Sequence, residues 1–383
     1  MVKALLSTLF IVSLLAHSGH VLSENTSSKH SVSLKISNTT QGPFWPPSAV
    51  VDQNGDFVVV GTVLTETEAG LVIPMNNQAA LVSKHTVPPL DANGVEDFSN
   101  PFAAPYDVIR YLDLSPGSAD LDIVLYTNSY GPPAGDFGGG ARVPREGETQ
   151  YNLNMLAGFP CAEVFPAESQ KYTYTRPKFP LHKAPVPGFQ GDGVMYDINN
   201  GIDFVPNLRS GSNCPAHGCE GEDPVDDALD KPITLGDWLK VDLRLKVTLS
   251  DYDVSKKAYT SATFDIRGRN LLPHSVYQVM AFRTNSFVPM PLPKLPDPLA
   301  LPQILLSDEF GRASLRRKVK NPFPASETDD AGLRIQGLVV TYRSDFQNSG
   351  ACALRLGPGV EVHAVGSTLS EFPAGITNFV TVP

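Results

Sequence analysis

The densest set of potential ligands in the chain is SNCPAHGCEGEDPVDDALDKP, residues 212–232. Cys214 and Cys219 bracket His217, and six carboxylates follow within eleven residues: Glu220, Glu222, Asp223, Asp226, Asp227 and Asp230. Thiolates beside an imidazole suggest zinc, but C-x-x-H-x-C matches none of the common zinc frameworks and needs a fourth ligand. Carboxylates are the hard oxygen donors that calcium takes. A second group, Asp192, Asp197, Asn199 and Asp203, lies in GDGVMYDINNGIDF. Neither has the spacing or the closing glutamate of an EF-hand loop. The cation to expect is therefore calcium, held by the carboxylates of 220–230, with ordinary solvated acidic surface as the alternative.

Compartment decides how the cysteines are read. Lys3 precedes an apolar run from Ala4 to Ala16, and Val21 and Ser23 stand at the −3 and −1 places of a cleavage before Glu24. This is the pattern of a secretory signal peptide over residues 1–23. Its apolar run falls short of the roughly 20 residues that cross a bilayer. No later segment is long and apolar enough to span, so the expectation is a secreted, extracellular protein. Outside the cell, cysteines pair. Cys161, Cys214, Cys219 and Cys352 allow three full pairings. Pairing Cys214 with Cys219 closes a small loop, worth about 2 kcal/mol in the chain-entropy model. Cys161 with Cys352 would then tie the middle of the chain to its last third, worth about 5 kcal/mol on the same model. Two sequons, Asn25-Thr26-Ser27 and Asn38-Thr39-Thr40, mark Asn25 and Asn38 as glycan acceptors. They predict a flexible, glycosylatable tail over 24–42.

The formal net charge of −10 repels nucleic acid and anionic lipid and suits divalent cations or cationic partners. With 42% hydrophobic and 18% charged residues, there is ample material for packed cores. The 34 prolines and 31 glycines between short apolar runs indicate an all-β chain with many turns. The sequence has no nucleophile elbow, zincin helix, dinucleotide fingerprint or kinase set. His363 follows Cys352, but no methionine follows Cys352, so a blue-copper ligand set is not met. The Gly-rich GDFGGG lacks the Lys-Ser/Thr pair of a phosphate loop. No catalytic residue and no cofactor-binding residue is assigned.

The elements that would position any site are strands. In LKVDLRLKVTLS, Leu239, Val241, Leu243, Leu245, Val247 and Leu249 fall on one face, and Lys240, Asp242, Arg244, Lys246, Thr248 and Ser250 on the other. Period-two alternation puts one face on a core and the other in water. TSATFDIRG repeats the device with Ala262, Phe264 and Ile266 inward. In SVYQVMAFRT the inner set is Val276, Gln278, Met280 and Phe282, or its opposite if the register slips. ASLRRKV, LRIQGLVVTYR, ACALRL, VEVHAVG and TNFVTV add further strands, which together predict an antiparallel β-sandwich over 231–383. The proline-rich VPMPLPKLPDPLALP reads as a crossover loop within it. Residues 43–230 form a β-rich region with long loops, in which Asn54-Gly55 signals a hairpin and AALVSKHTV, VIRYLDL and LDIVLYTNS give strands.

The stretch GLVVTYRSDFQNSGACALRLGPGVEVHAVG, residues 337–366, resembles the C-terminal segment of uncharacterised secreted β-sandwich proteins. Leader, sequons and acidic balance together are similar to those of uncharacterised proteins of the coral skeletal organic matrix. The chain departs from the most acidic of these in having no long aspartate runs. The resemblance implies a non-enzymatic structural or interaction component of an extracellular matrix, a mineralised one included, associated with calcium. Its partners would be matrix components or a mineral surface. Two other readings stay open: a secreted carbohydrate-active hydrolase using carboxylates, and a ligand-binding β-sandwich module.

Overall fold

The computed structural model describes residues 27–28, 30–42, 47–87, 89–94, 103–127, 231–255, 258–273, 275–284, 297–299, 304–324, 331–342 and 361–366, with short pieces at 152–154, 171–173, 181, 194–197, 201–204, 369 and 372. Alternation of apolar and polar residues forms strand β1 over Ser31–Asn38, where Leu34 and Ile36 are buried and Lys35 is exposed. Next come β2 (Val50–Val51), β3 (Phe57–Glu66), β4 (Val72–Val82), β5 (Val108–Tyr111) and β6 (Tyr126–Thr127). Helix α1 (Leu235–Leu239) introduces β7 (Asp242–Asp253), β8 (Ala258–Arg269) and β9 (Val276–Arg283). The last are β10 (Asp297–Pro298), β11 (Ile304–Leu306), β12 (Ala313–Lys320), β13 (Ile335–Tyr342) and β14 (Glu361–Gly366).

The protein is mainly β and antiparallel. The large sheet runs β10-β9-β13-β14-β1-β7-β8-β12, with β11 beside β9. β1 joins its two halves: Val32 to Ile36 pair with β7, while Ser37 and Asn38 pair with β14. The inner faces meet in one core that unites Leu34, Leu245 and Phe264 from one half with Val279, Val340 and Ala364 from the other. A sheet face rich in apolar residues must be covered, and here the sheet covers itself. The second sheet, β5-β4-β3-β2-β6, lays Val58, Val60, Ala79 and Leu81 on that same core. Its other side forms a separate cluster from Phe57, Val59, Val63, Leu64, Ala80, Val82 and Tyr106.

The hairpin forms where Asn54-Gly55 predicts it. The Asp52 carboxylate accepts from Asn54 N and Asp56 N, and Gly55 adopts φ 87°, which only glycine takes without strain. At the turn between β11 and β12, Asp308 likewise accepts from Phe310 N and Arg312 N. Gly311 there has φ 66°, and an added Cβ would fall 2.2 Å from Leu271 O. Beyond Phe57, where β3 pairs with β2, the same edge of β3 is met by residues 39–41, with one backbone bond from Thr40 N to Val60 O and the rest from side chains. Thr39 Oγ1 donates to Val60 O, Thr40 Oγ1 donates to Val58 O and accepts from Val60 N, and the Gln41 amide brackets Thr62 N and O. Buried backbone groups need partners, and these short polar side chains supply them.

Two expectations are corrected and one open alternative is decided. Within the flexible tail expected over 24–42, Ser31–Asn38 form β1 in the middle of the large sheet, so these residues belong to the sandwich. The alternation beginning at Leu239 is strand only from Asp242. Thr234 and Asp237 make a capping box that turns 235–239 into a helix, which carries Trp238 into the core. In β9 the main core receives Val276, Tyr277, Val279 and Ala281, while Gln278, Met280 and Phe282 are buried outside it. Of the two registers the sequence left open, the second holds for Tyr277, Val279 and Ala281; burial on both sides of β9 is why alternation did not choose between them.

Candidate interaction face

The outer side of β1, β7, β8 and β12 is built by strict alternation. Each inward residue of β7 (Leu243, Leu245, Val247) is buried, and each outward one (Arg244, Lys246, Thr248) is exposed. The same pattern sends Lys35 outward from β1, Arg267 and Arg269 from β8, and Arg316, Lys318 and Lys320 from β12. Registry sets these side chains in rows. Lys35, Arg244 and Arg267 stand directly opposite one another across three strands. The next row is Ser33, Lys246, Asp265 and Arg316, and the row after it Ser31, Thr248, Thr263 and Lys318. Strands sit about 4.8 Å apart and alternate residues about 6.8 Å apart along a strand, so the rows form a grid of charges and hydroxyls.

Eight cations occupy this face against three carboxylates, a local balance of 8 − 3 = +5. Each carboxylate is already engaged. Asp242 accepts from Arg244 Nε at 3.2 Å, Asp265 from Arg267 Nε at 3.1 Å, and Asp251 from Lys318 Nζ at 2.7 Å. The Arg267 hydrogen bond holds the Asp265 carboxyl below its usual range, with Arg316 and Lys246 acting in the same sense from further off. Lys318 does the same for Asp251, chiefly by its hydrogen bond. Among the described residues, no carboxylate lies within ion-pair distance of Lys35, Lys246, Arg269, Arg316 or Lys320. The rest of the chain carries −10 − 5 = −15, so this sheet face is net positive in an acidic protein.

A second polar group is buried where α1 meets the sandwich. Trp238 and His363 are wholly buried and stack at 3.7 Å with planes 4° apart. Trp238 Nε1 donates to Thr39 O at 2.9 Å, and Thr39 N donates to His363 O at 2.8 Å. His363 Nε2 lies 2.8 Å from Trp238 O. A carbonyl only accepts, which places the ring proton on Nε2. Burial then lowers the imidazole pKa to about 3, opposed in part by that hydrogen bond. Tyr277 and Tyr342 close the cluster, and burial raises the Tyr277 hydroxyl well above its usual value. A neutral, enclosed imidazole against indole and phenol rings is packing material.

Of the residues singled out in the sequence, Cys161, Cys214, Cys219, Cys352, Asn25 and the six carboxylates from Glu220 to Asp230 lie outside the described residues. So do the strands expected at ACALRL and TNFVTV. Asn38 is described, and its environment does not suit a glycan. Its Nδ2 donates to Leu239 O at 2.9 Å and Val241 O at 2.7 Å, and Thr40 is wholly buried. An N-linked sugar replaces one of the two amide hydrogens, so both bonds could not persist. The outward residues of β7 were visible in the alternation. Those of β1, β8 and β12 carry the same signal in SLKIS, DIRGR and SLRRKVK, but their gathering onto one face depends on strand order.

No family model, no curated protein and no solved structure matches the chain.

Proposed function

We propose that the protein is a secreted, non-enzymatic component of an extracellular matrix, structural or adhesive in role, acting through surfaces presented by a stiff β scaffold. The observation that carries this reading is the outer face of β1, β7, β8 and β12. Its four strands pair side by side in antiparallel register with β12 at the edge, its inner side is locked in the core, and its outer side offers an open array of charge. Open grids of this kind suit extended partners better than they suit one small substrate. The leader and the likeness to skeletal matrix proteins support the extracellular setting, mineralised matrix included. The acidic run 220–230 supports calcium association.

Expression of the complete chain in a secreting animal cell line tests the setting. The expected result is a processed protein in the medium and in the salt-extractable matrix; retention inside the cells would sink the reading. Calcium association is tested on the purified protein by its thermal midpoint in millimolar calcium, magnesium or chelator. A site filled at a hundred times its dissociation constant adds about 2.7 kcal/mol, a rise of a few degrees for domains of this size. Neutralising Asp223, Asp226 and Asp227 should abolish a rise due to the run. No calcium-dependent shift removes calcium from the proposal.

A further inference from the structure

We infer that the basic face of β1, β7, β8 and β12 is a docking surface for a sulfated polysaccharide. The inference rests on the matrix reading above and names the partner of its surface. The first support is the register. Lys35, Arg244 and Arg267 face one another with no acid between them. Like charges directly opposite across a sheet are destabilising. Arg244 and Arg267 each lean on the aspartate two residues earlier in their own strand, and Lys35 has no such neighbour in the row. An anion lying across the row turns that repulsion into attraction.

Chemistry narrows the partner. Guanidinium and ammonium groups alternate with Ser31, Ser33, Thr248 and Thr263 in adjoining positions of the same grid. Cations with interleaved hydroxyls match a polymer carrying sulfates and alcohols at short repeat. A nucleic acid fits less well. The three rows hold no aromatic ring on which bases would stack; the exposed Tyr252, paired with Tyr259, stands two rows beyond them. The balance of −15 on the rest of the chain repels polyanion elsewhere and leaves this face as the landing place.

The test uses the purified complete chain and heparin as the probe, at about 0.15 M salt, where charges further than about 8 Å apart are screened. The variant K35E/K246E/R316E reverses three cations that make no ion pair among the described residues, and K35Q/K246Q/R316Q is its milder partner. Both are checked for a native thermal midpoint and near-ultraviolet dichroism. Heparin binding is expected to weaken at least about tenfold in the reversed variant. The slope of log K against log salt should fall by about one for each cation neutralised. Lys84→Glu, off the face, should leave binding unchanged. Native-like heparin affinity in either folded triple variant overturns the inference, as does tighter binding to single-stranded DNA of matched charge. Retention on decellularised matrix separates the two proposals. Retention that survives both charge reversal and digestion of sulfated glycans keeps the matrix reading and defeats this one. Heparin binding through the face without any matrix retention does the reverse.

Discussion

Strands β3 and β7 are similar in length, 10 and 12 residues, and opposite in character. β7 alternates buried and exposed positions almost without exception from Asp242 to Leu249. β3 is buried at nearly every position from Phe57 to Leu64. The reason is architectural. β7 covers the core with one side and shows the other to water, whereas β3 is pressed between the sandwich core and the Phe57 cluster. A one-sided strand can carry a functional surface at little cost, because half its residues are free of packing. A two-sided strand is committed to stability.

That contrast can be broken by placing a charge on each face. Val58→Asp and Val59→Asp point to opposite sides of β3, and each should remove about 3–5 kcal/mol, the usual loss for an unpaired buried charge. The midpoint of chemical unfolding followed by tryptophan fluorescence reads the loss; tolerance at either site would mean that side of β3 is open. Acid sharpens the same point through the joint between the two sheets. His363 titrates at about 3 in the folded protein against about 6.5 in the unfolded chain. Its contribution to stability is complete above about pH 6.5. It falls as pH drops toward 3, by at most about 1.4 kcal/mol per pH unit, because the unfolded chain then takes up a proton that the folded one refuses. His363→Gln should flatten the stability–pH curve between pH 6.5 and 3, and an unchanged slope would show that other groups dominate it. The smallest effect belongs to the open side of β7. Lys246→Gln should alter stability by less than about 0.5 kcal/mol in the same unfolding measurement.

Legibility in the sequence follows the same division. Alternation revealed the inward and outward faces of β7 and β8 because period two has one physical cause. It left β9 open between two registers, because Gln278, Met280 and Phe282 are buried as well although they lie outside the main core. A strand covered on both sides has no period to read. The sequon at Asn38 was plain, but the carbonyls of Leu239 and Val241 that occupy its amide are about two hundred residues away. The His363–Trp238 stack is hidden for the same reason. Half of the basic face could be seen in single strands; its density required knowing that β1 lies against β7 and β12 against β8.

The position of β1 also sets a timetable for synthesis. Leu34 pairs with Leu245, and Ser37 pairs with Val365 near the other end of the chain. Elongation at about 5–20 residues per second brings the first of these partners out tens of seconds after β1 itself. Until then β1 has an alternating apolar face and, apart from its short local pairing with Ser27–Ser28, open edges, a template for whatever extended chain comes near. The large sheet can close only after residues 361–366 have emerged. A nascent chain that stalls before residue 361 leaves Ser37 and Asn38 of β1 without their partners in β14.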